Sequence, residues 1–113
     1  MLLFERRHGE TIVVDLRGPV DREQGDLPAL LARLRALANK GCTDIVLNVE
    51  ELTHVDSVIV GTIAHAYISA SRAGATLRLQ NVSPGLREML AITKLDRVIE
   101  ILEEDPGSLK SEV

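Results

Sequence analysis

The stretch IVLNVEELTHVDSVIVG, Ile45 to Gly61, decides how the rest of the chain is read. Its opening, Ile45 to Val49, is apolar except for Asn48, the composition of a central strand covered on both faces. Glu50-Glu51-Leu52-Thr53-His54 reads as a surface turn, and Val55 returns the chain to the core. Asp56-Ser57 then stands where a helix begins. A Ser or Asp at that position caps free backbone N–H groups, and N-cap is the commonest role for Ser57 on that chemistry. The same N–H groups and the positive end of the helix dipole favour an added anion such as a phosphate, so the exchangeable hydroxyl of a serine here is also a candidate switch.

Downstream, Ser57 to Arg72 holds Val58, Ile59, Val60, Ile63, Ala64, Tyr67, Ile68 and Ala70, which predicts a deeply packed helix with His65 and Ser69 on its solvent side. Gly74 closes it. Thr76 to Gln80 alternates polar and apolar residues as a half-buried strand does. After the Asn81-Val82-Ser83 turn, Ser83 caps a further helix with Pro84 at its first position and Leu86, Met89, Leu90 and Ile92 facing inward. Val98 to Leu102 reads as a last strand. Residues 103–113 are acidic, contain Pro106-Gly107 and lack a pattern, so a disordered tail is expected there.

Upstream, Leu2 to Arg6 and Thr11 to Arg17 form a hairpin about Gly9, and Gly18-Pro19 ends its second strand. Leu27, Leu30, Leu31, Leu34, Leu37 and Ala38 recur at spacings of three and four, a helix from Asp26 to Asn39 with Asp26 as its N-cap and Gly41 after its end. The order is strand, strand, helix, strand, helix, strand, helix, strand. That alternation predicts an α/β fold: a small mixed, mostly parallel sheet of about five strands with three or more helices. Partners meet such a sheet at the carboxyl ends of its strands, where Asp56-Ser57 and Asn81 to Ser83 both fall.

At 113 residues the chain fits one domain, expected over 1–102. Phe4 and Tyr67 are its only aromatic residues and its net charge is −4, a poor basis for stacking or phosphate contacts with nucleic acid. Cys42 is the single cysteine, so no internal disulfide and no paired metal motif can form. The apolar start MLLF is broken at once by charge, no run reaches the length of a membrane span, and a cytoplasmic location is expected. There is no glycine-rich phosphate loop, no nucleophile elbow and no Cys/His cluster. His54 reads as a solvated turn histidine, and Asp15, Asp21 and Asp56 as solvated loop acids. An enzyme is hard to build from these parts, and no cofactor or metal is expected.

Three motifs, LRGPVD (Leu16 to Asp21), IVLNVEELTHVDS (Ile45 to Ser57) and GATLRLQNVSPGLREMLAITKLDRVIEI (Gly74 to Ile101), together resemble the STAS domain of bacterial anti-sigma factor antagonists. The resemblance runs from about Thr11 to Ile101. It implies a STAS-type α/β sandwich, no catalysis, and partner switching in transcription regulation. In that family a serine in an Asp-Ser motif is phosphorylated by an anti-sigma factor that is a GHKL-type serine kinase, and the unphosphorylated form binds that anti-sigma factor. Carried over, Ser57 matches the phosphoacceptor, Asp56 the preceding acid, and Asp21 the acid of a Gly-Glu-Leu-Asp pattern; Val58, Asn81 and Ser83 join these as partner-binding candidates. Typical members read Asp-Ser-Ser-Gly-Leu-Gly where this chain reads Asp56-Ser57-Val58-Ile59-Val60-Gly61. The β-branched residues stiffen that turn. They also resemble scaffold STAS modules, either stressosome components or STAS subunits of lipid transporters, which leaves a constitutive module, homodimer or scaffold assembly as the alternative.

Overall fold

The computed structural model describes residues 1–103. Strands β1 (Leu2–His8) and β2 (Thr11–Arg17) pair antiparallel in an unbroken register from Leu2 with Arg17 to His8 with Thr11. Helix α1 (Asp26–Asn39), strand β3 (Asp44–Asn48), helix α2 (Ser57–Arg72), strand β4 (Thr76–Gln80), helix α3 (Pro84–Ile92) and strand β5 (Ile101–Leu102) follow in turn. The sheet order is β1-β2-β3-β4-β5, parallel from β2 to β5, with β3 at its centre. Of the tail expected over 103–113, all but Glu103 lies outside the described residues.

Each crossover from β2 onward steps one strand in the same direction. Right-handed connections therefore place α1, α2 and α3 on one face of the sheet, α1 against α2 and α2 against α3. Ile12, Val14, Leu16, Ile45, Leu47, Val49, Leu77 and Leu79 point into that layer and share one core with Leu30, Leu34, Ile59, Ile63, Leu86 and Leu90. β3 is covered on both faces, as its composition predicts, but helices cover only one of them. Val13 and Val46 point to the second face and are buried, yet stand outside that core. Polar side chains shield them instead: Arg6 is register-paired with Val13 and Arg78 with Val46, and Asp44 takes hydrogen bonds from Thr11 (2.6 Å) and Arg78 (2.7 Å).

Asp15 lies on this second face in mid-strand and is buried, not a solvated loop acid. Its carboxylate accepts from Arg6 Nε at 2.6 Å and Nη2 at 2.9 Å, and from Asn48 Nδ2 at 2.7 Å. Burial pushes its carboxyl up, but the Arg6 and Asn48 hydrogen bonds and the charges of Arg6 and Arg17 outweigh that and hold it below the usual range.

Several local expectations change. Asp26 is the first residue of α1 rather than its cap; Gly25, at φ 76°, precedes it, and the Asp26 carboxylate instead accepts from Asp21 N at 2.7 Å. Val98 is exposed and does not join β5, because a 3-10 turn at Leu95–Arg97 sends the N–H groups of Val98 and Ile99 back to Leu95 O. Only Ile101 and Leu102 then pair in register with β4, with Glu100 O accepting from Leu79 N at 2.9 Å just before them. Ile92 and Ile68 face solvent, while Leu52, read as part of a surface turn, folds into the core.

Candidate partner-binding edge

The carboxyl ends of β2, β3 and β4 carry the loops that converge on the start of α2. Asp56, not Ser57, is the cap: in extended conformation it accepts through Oδ1 from Val58 N and Ile59 N, both at 3.1 Å. The role assigned to Ser57 by local chemistry therefore passes to its neighbour. Two caps cannot occupy one helix start, and the acid, one residue earlier, has the geometry to reach the second and third N–H groups. Ser57 becomes the first helical residue and is exposed.

The other oxygen of Asp56 faces Arg22 and His54. Arg22 Nη2 pairs with Asp56 Oδ2, and His54 Nε2 lies 3.3 Å from the same oxygen while its ring is mostly in solvent. Arg22 was absent from the residues picked out in the sequence. It sits in a 3-10 turn, Arg22–Gln24, whose N-cap is Asp21, accepting from Glu23 N at 3.0 Å. Asp21 thus shapes the turn that presents the arginine. An arginine next to the matched Asp21 was the available signal, but only folding brings it to a residue 34 positions away.

Val58 is half exposed and, with Thr62, lines a shallow groove whose other wall is Leu27, Pro28 and Leu31 of α1 and whose end is Arg22. Val58 thus departs from the deep packing expected of α2, whose buried residues are Ile59, Val60, Ile63, Ala66 and Ala70. Asn81, at φ 59°, donates to Asn48 Oδ1 at 2.9 Å and so ties the β4 loop to the β3 end. Ser83 caps α3, accepting from Leu86 N at 3.2 Å, as the sequence predicted. Of the six residues singled out, Asp21, Asp56 and Val58 lie about Arg22 and Ser57 follows Asp56 in the chain, whereas Asn81 and Ser83 serve the neighbouring loop. Among the described residues no set of three or more His, Cys, Asp or Glu side chains is arranged to hold a metal, and no helix is long and apolar enough to cross a membrane.

The class so defined is a two-layer α/β domain that offers an exposed serine, an arginine–aspartate pair and an apolar groove at the carboxyl edge of its sheet. The chain belongs to the STAS domain family: the family described as "Mlab, STAS domain" matches residues 3–103. It is similar to the anti-sigma-B factor antagonist of Bacillus subtilis, 25% identical over 105 residues that cover 93% of this chain and 94% of the relative. Its fold matches the phosphorylated form of the Bacillus cell fate determinant SpoIIAA, with TM-score 0.69 at 23% identity, covering 91% of this chain and 93% of that one. It also matches a serine-to-glutamate form of RsbS from Moorella thermoacetica, with TM-score 0.74 at 16% identity, covering 95% and 91%.

Proposed function

We propose that this chain is an anti-sigma factor antagonist that works by partner switching: it binds an anti-sigma factor that is also a GHKL-type serine kinase, and phosphorylation of Ser57 releases that partner. The observation that carries this reading is the division of labour at the start of α2. Asp56 does the capping, so the Ser57 hydroxyl is exposed and its modification costs the helix no cap. A phosphate there adds up to about two negative charges at a helix N-terminus, where charge of that sign is favoured. It also follows Asp56, the partner of Arg22, and precedes Val58, so it changes both the charge and the shape of the surface around Val58. The similarity to the Bacillus subtilis antagonist over nearly the whole of both chains supports the same reading.

The deciding experiment is intact-mass spectrometry after incubation with the co-encoded kinase and ATP, with Ser57→Ala as control. A gain of one phosphate, about eighty daltons, in the unsubstituted chain alone is the expected result. No gain from a kinase active on another substrate refutes the phosphorylation reading. For partner binding, Ser57→Asp weakens affinity while Ser57→Ala keeps it; equal affinities for the two variants would sink the switch.

A second reading rests on Val58. A half-exposed valine beside an apolar groove is what a permanent contact needs, and it stands where typical family members have a serine. On that reading the chain is a non-catalytic STAS scaffold module not controlled by phosphorylation, and it purifies from its cell as part of a stable large assembly.

A further inference from the structure

The two edges of the sheet differ. β5 is two residues long, a common way to blunt an edge, whereas β1 runs for seven residues and, among the described residues, has β2 on one side only. β1 has no proline and no bulge, since its register with β2 is regular through all seven pairs, and its charges, Glu5, Arg6 and Arg7, all fall in its second half, so Leu2 to Phe4 carry no charge. It also carries two of the large apolar side chains most open to solvent, Leu2 at 63% and Phe4 at 48% exposed. Both point to the face without helices, in the rows of Arg17 and Asp15, and the Arg17 guanidinium sits 5.4 Å above the Phe4 ring.

We propose that β1 is a self-association edge, pairing antiparallel with β1 of a second copy across a two-fold axis at Phe4 and joining two sheets into one of ten strands. The occupant follows from the strand's own side chains. Residues opposite each other in such a pair share a face, so the axis must pass through one residue. An axis at Glu5 sets glutamate against glutamate, and one at Arg6 sets arginine against arginine, each a destabilising like-charge pair. An axis at Leu3 overlaps only Leu2 to Phe4. An axis at Phe4 overlaps Leu2 to Arg6, opposes the two Phe4 rings, sets Leu3 against Glu5, and lays the aliphatic stem of Arg6 over Leu2 of the other copy. Leu2 and Phe4 of both copies then form one apolar stripe. Such an interface is isologous, and it uses no residue of the Ser57 edge.

The test combines sedimentation with a crosslink that reads the register. In a Cys42→Ser background, Phe4→Cys places two thiols directly opposite each other at the axis, within the Cα separation a disulfide spans, whereas His8→Cys places them about 27 Å apart. Mild oxidation is expected to give a covalent dimer from Phe4→Cys and not from His8→Cys. The unsubstituted chain sediments as a dimer that dissociates on dilution, and Phe4→Lys weakens it about tenfold or more, because two lysines then meet at the axis. Sedimentation of the unsubstituted chain as a monomer at every concentration overturns the proposal. Equal crosslinking of the two cysteine variants overturns it as well. The crosslink keeps the question answerable if Phe4→Lys folds poorly.

Discussion

Asp56 has two jobs that two substitutions separate. Its Oδ1 caps α2 through the N–H groups of Val58 and Ile59, and its Oδ2 meets Arg22. Asp56→Ala removes both. Losing an N-cap costs about 1–2 kcal/mol. The ion pair adds little, about 0–1 kcal/mol, because both side chains are roughly a third or more exposed and solvent screens them. Asp56→Asn keeps a side-chain oxygen for the cap, since Asn caps as well as Asp, and loses only the charge. The expected order is a loss of about 1–3 kcal/mol for Asp56→Ala, larger by the cap's share than the loss of about 0–1 kcal/mol for Asp56→Asn. For a domain of this size each kcal/mol shifts Tm by about 4–8 °C, so thermal and urea melts at neutral pH resolve the two. Added salt shrinks the Asn penalty and leaves the extra Ala penalty untouched, because salt screens charges and not the cap. Equal losses for the two variants would refute the reasoning, since the ion pair and not the cap would then hold the start of α2.

Asp15 makes the chain acid-sensitive. Its folded carboxyl titrates below its unfolded value, so its stabilisation is fully present above about pH 4 and is lost as pH falls through the folded value. Asp15→Asn is expected to cost about 2–3 kcal/mol at neutral pH, less than a fully buried pair because Arg6 reaches solvent, and to flatten the acid limb of a stability profile. An unchanged acid limb would assign the sensitivity to other carboxylates. Gln80 is fully buried and neither polar atom of its amide has a partner among the described residues, so Gln80→Met, similar in size and without those atoms, is expected to stabilise the fold by about 1–2 kcal/mol in urea melts. A net loss would show that the amide is satisfied in solution.

The residues around the start of α2 show why part of the site could be read early. Asp56 and Ser57 are adjacent, and a helix start is a local event: an acid, a serine and an apolar run define it without reference to the rest of the chain. Which of the two does the capping was not legible, because it turns on backbone angles at Asp56 that the sequence leaves free. Arg22 was missed because its partner lies 34 residues on, and only the packing of α1 against α2 beside the β2 loop brings them together.

The sequence by itself determined the order of strands and helices, the inward face of α1, the caps and breaks at Ser83, Gly41 and Gly74, and the family motifs, because these depend on periodicity and on neighbours within a turn. The tertiary structure alone decided that all three helices share one face, that Asp15 is buried and paired while Leu52 is core, and that β5 shrinks to two residues. Those outcomes depend on the direction of each crossover and on the register between strands, and neither is encoded in any window of the chain short enough to be read locally.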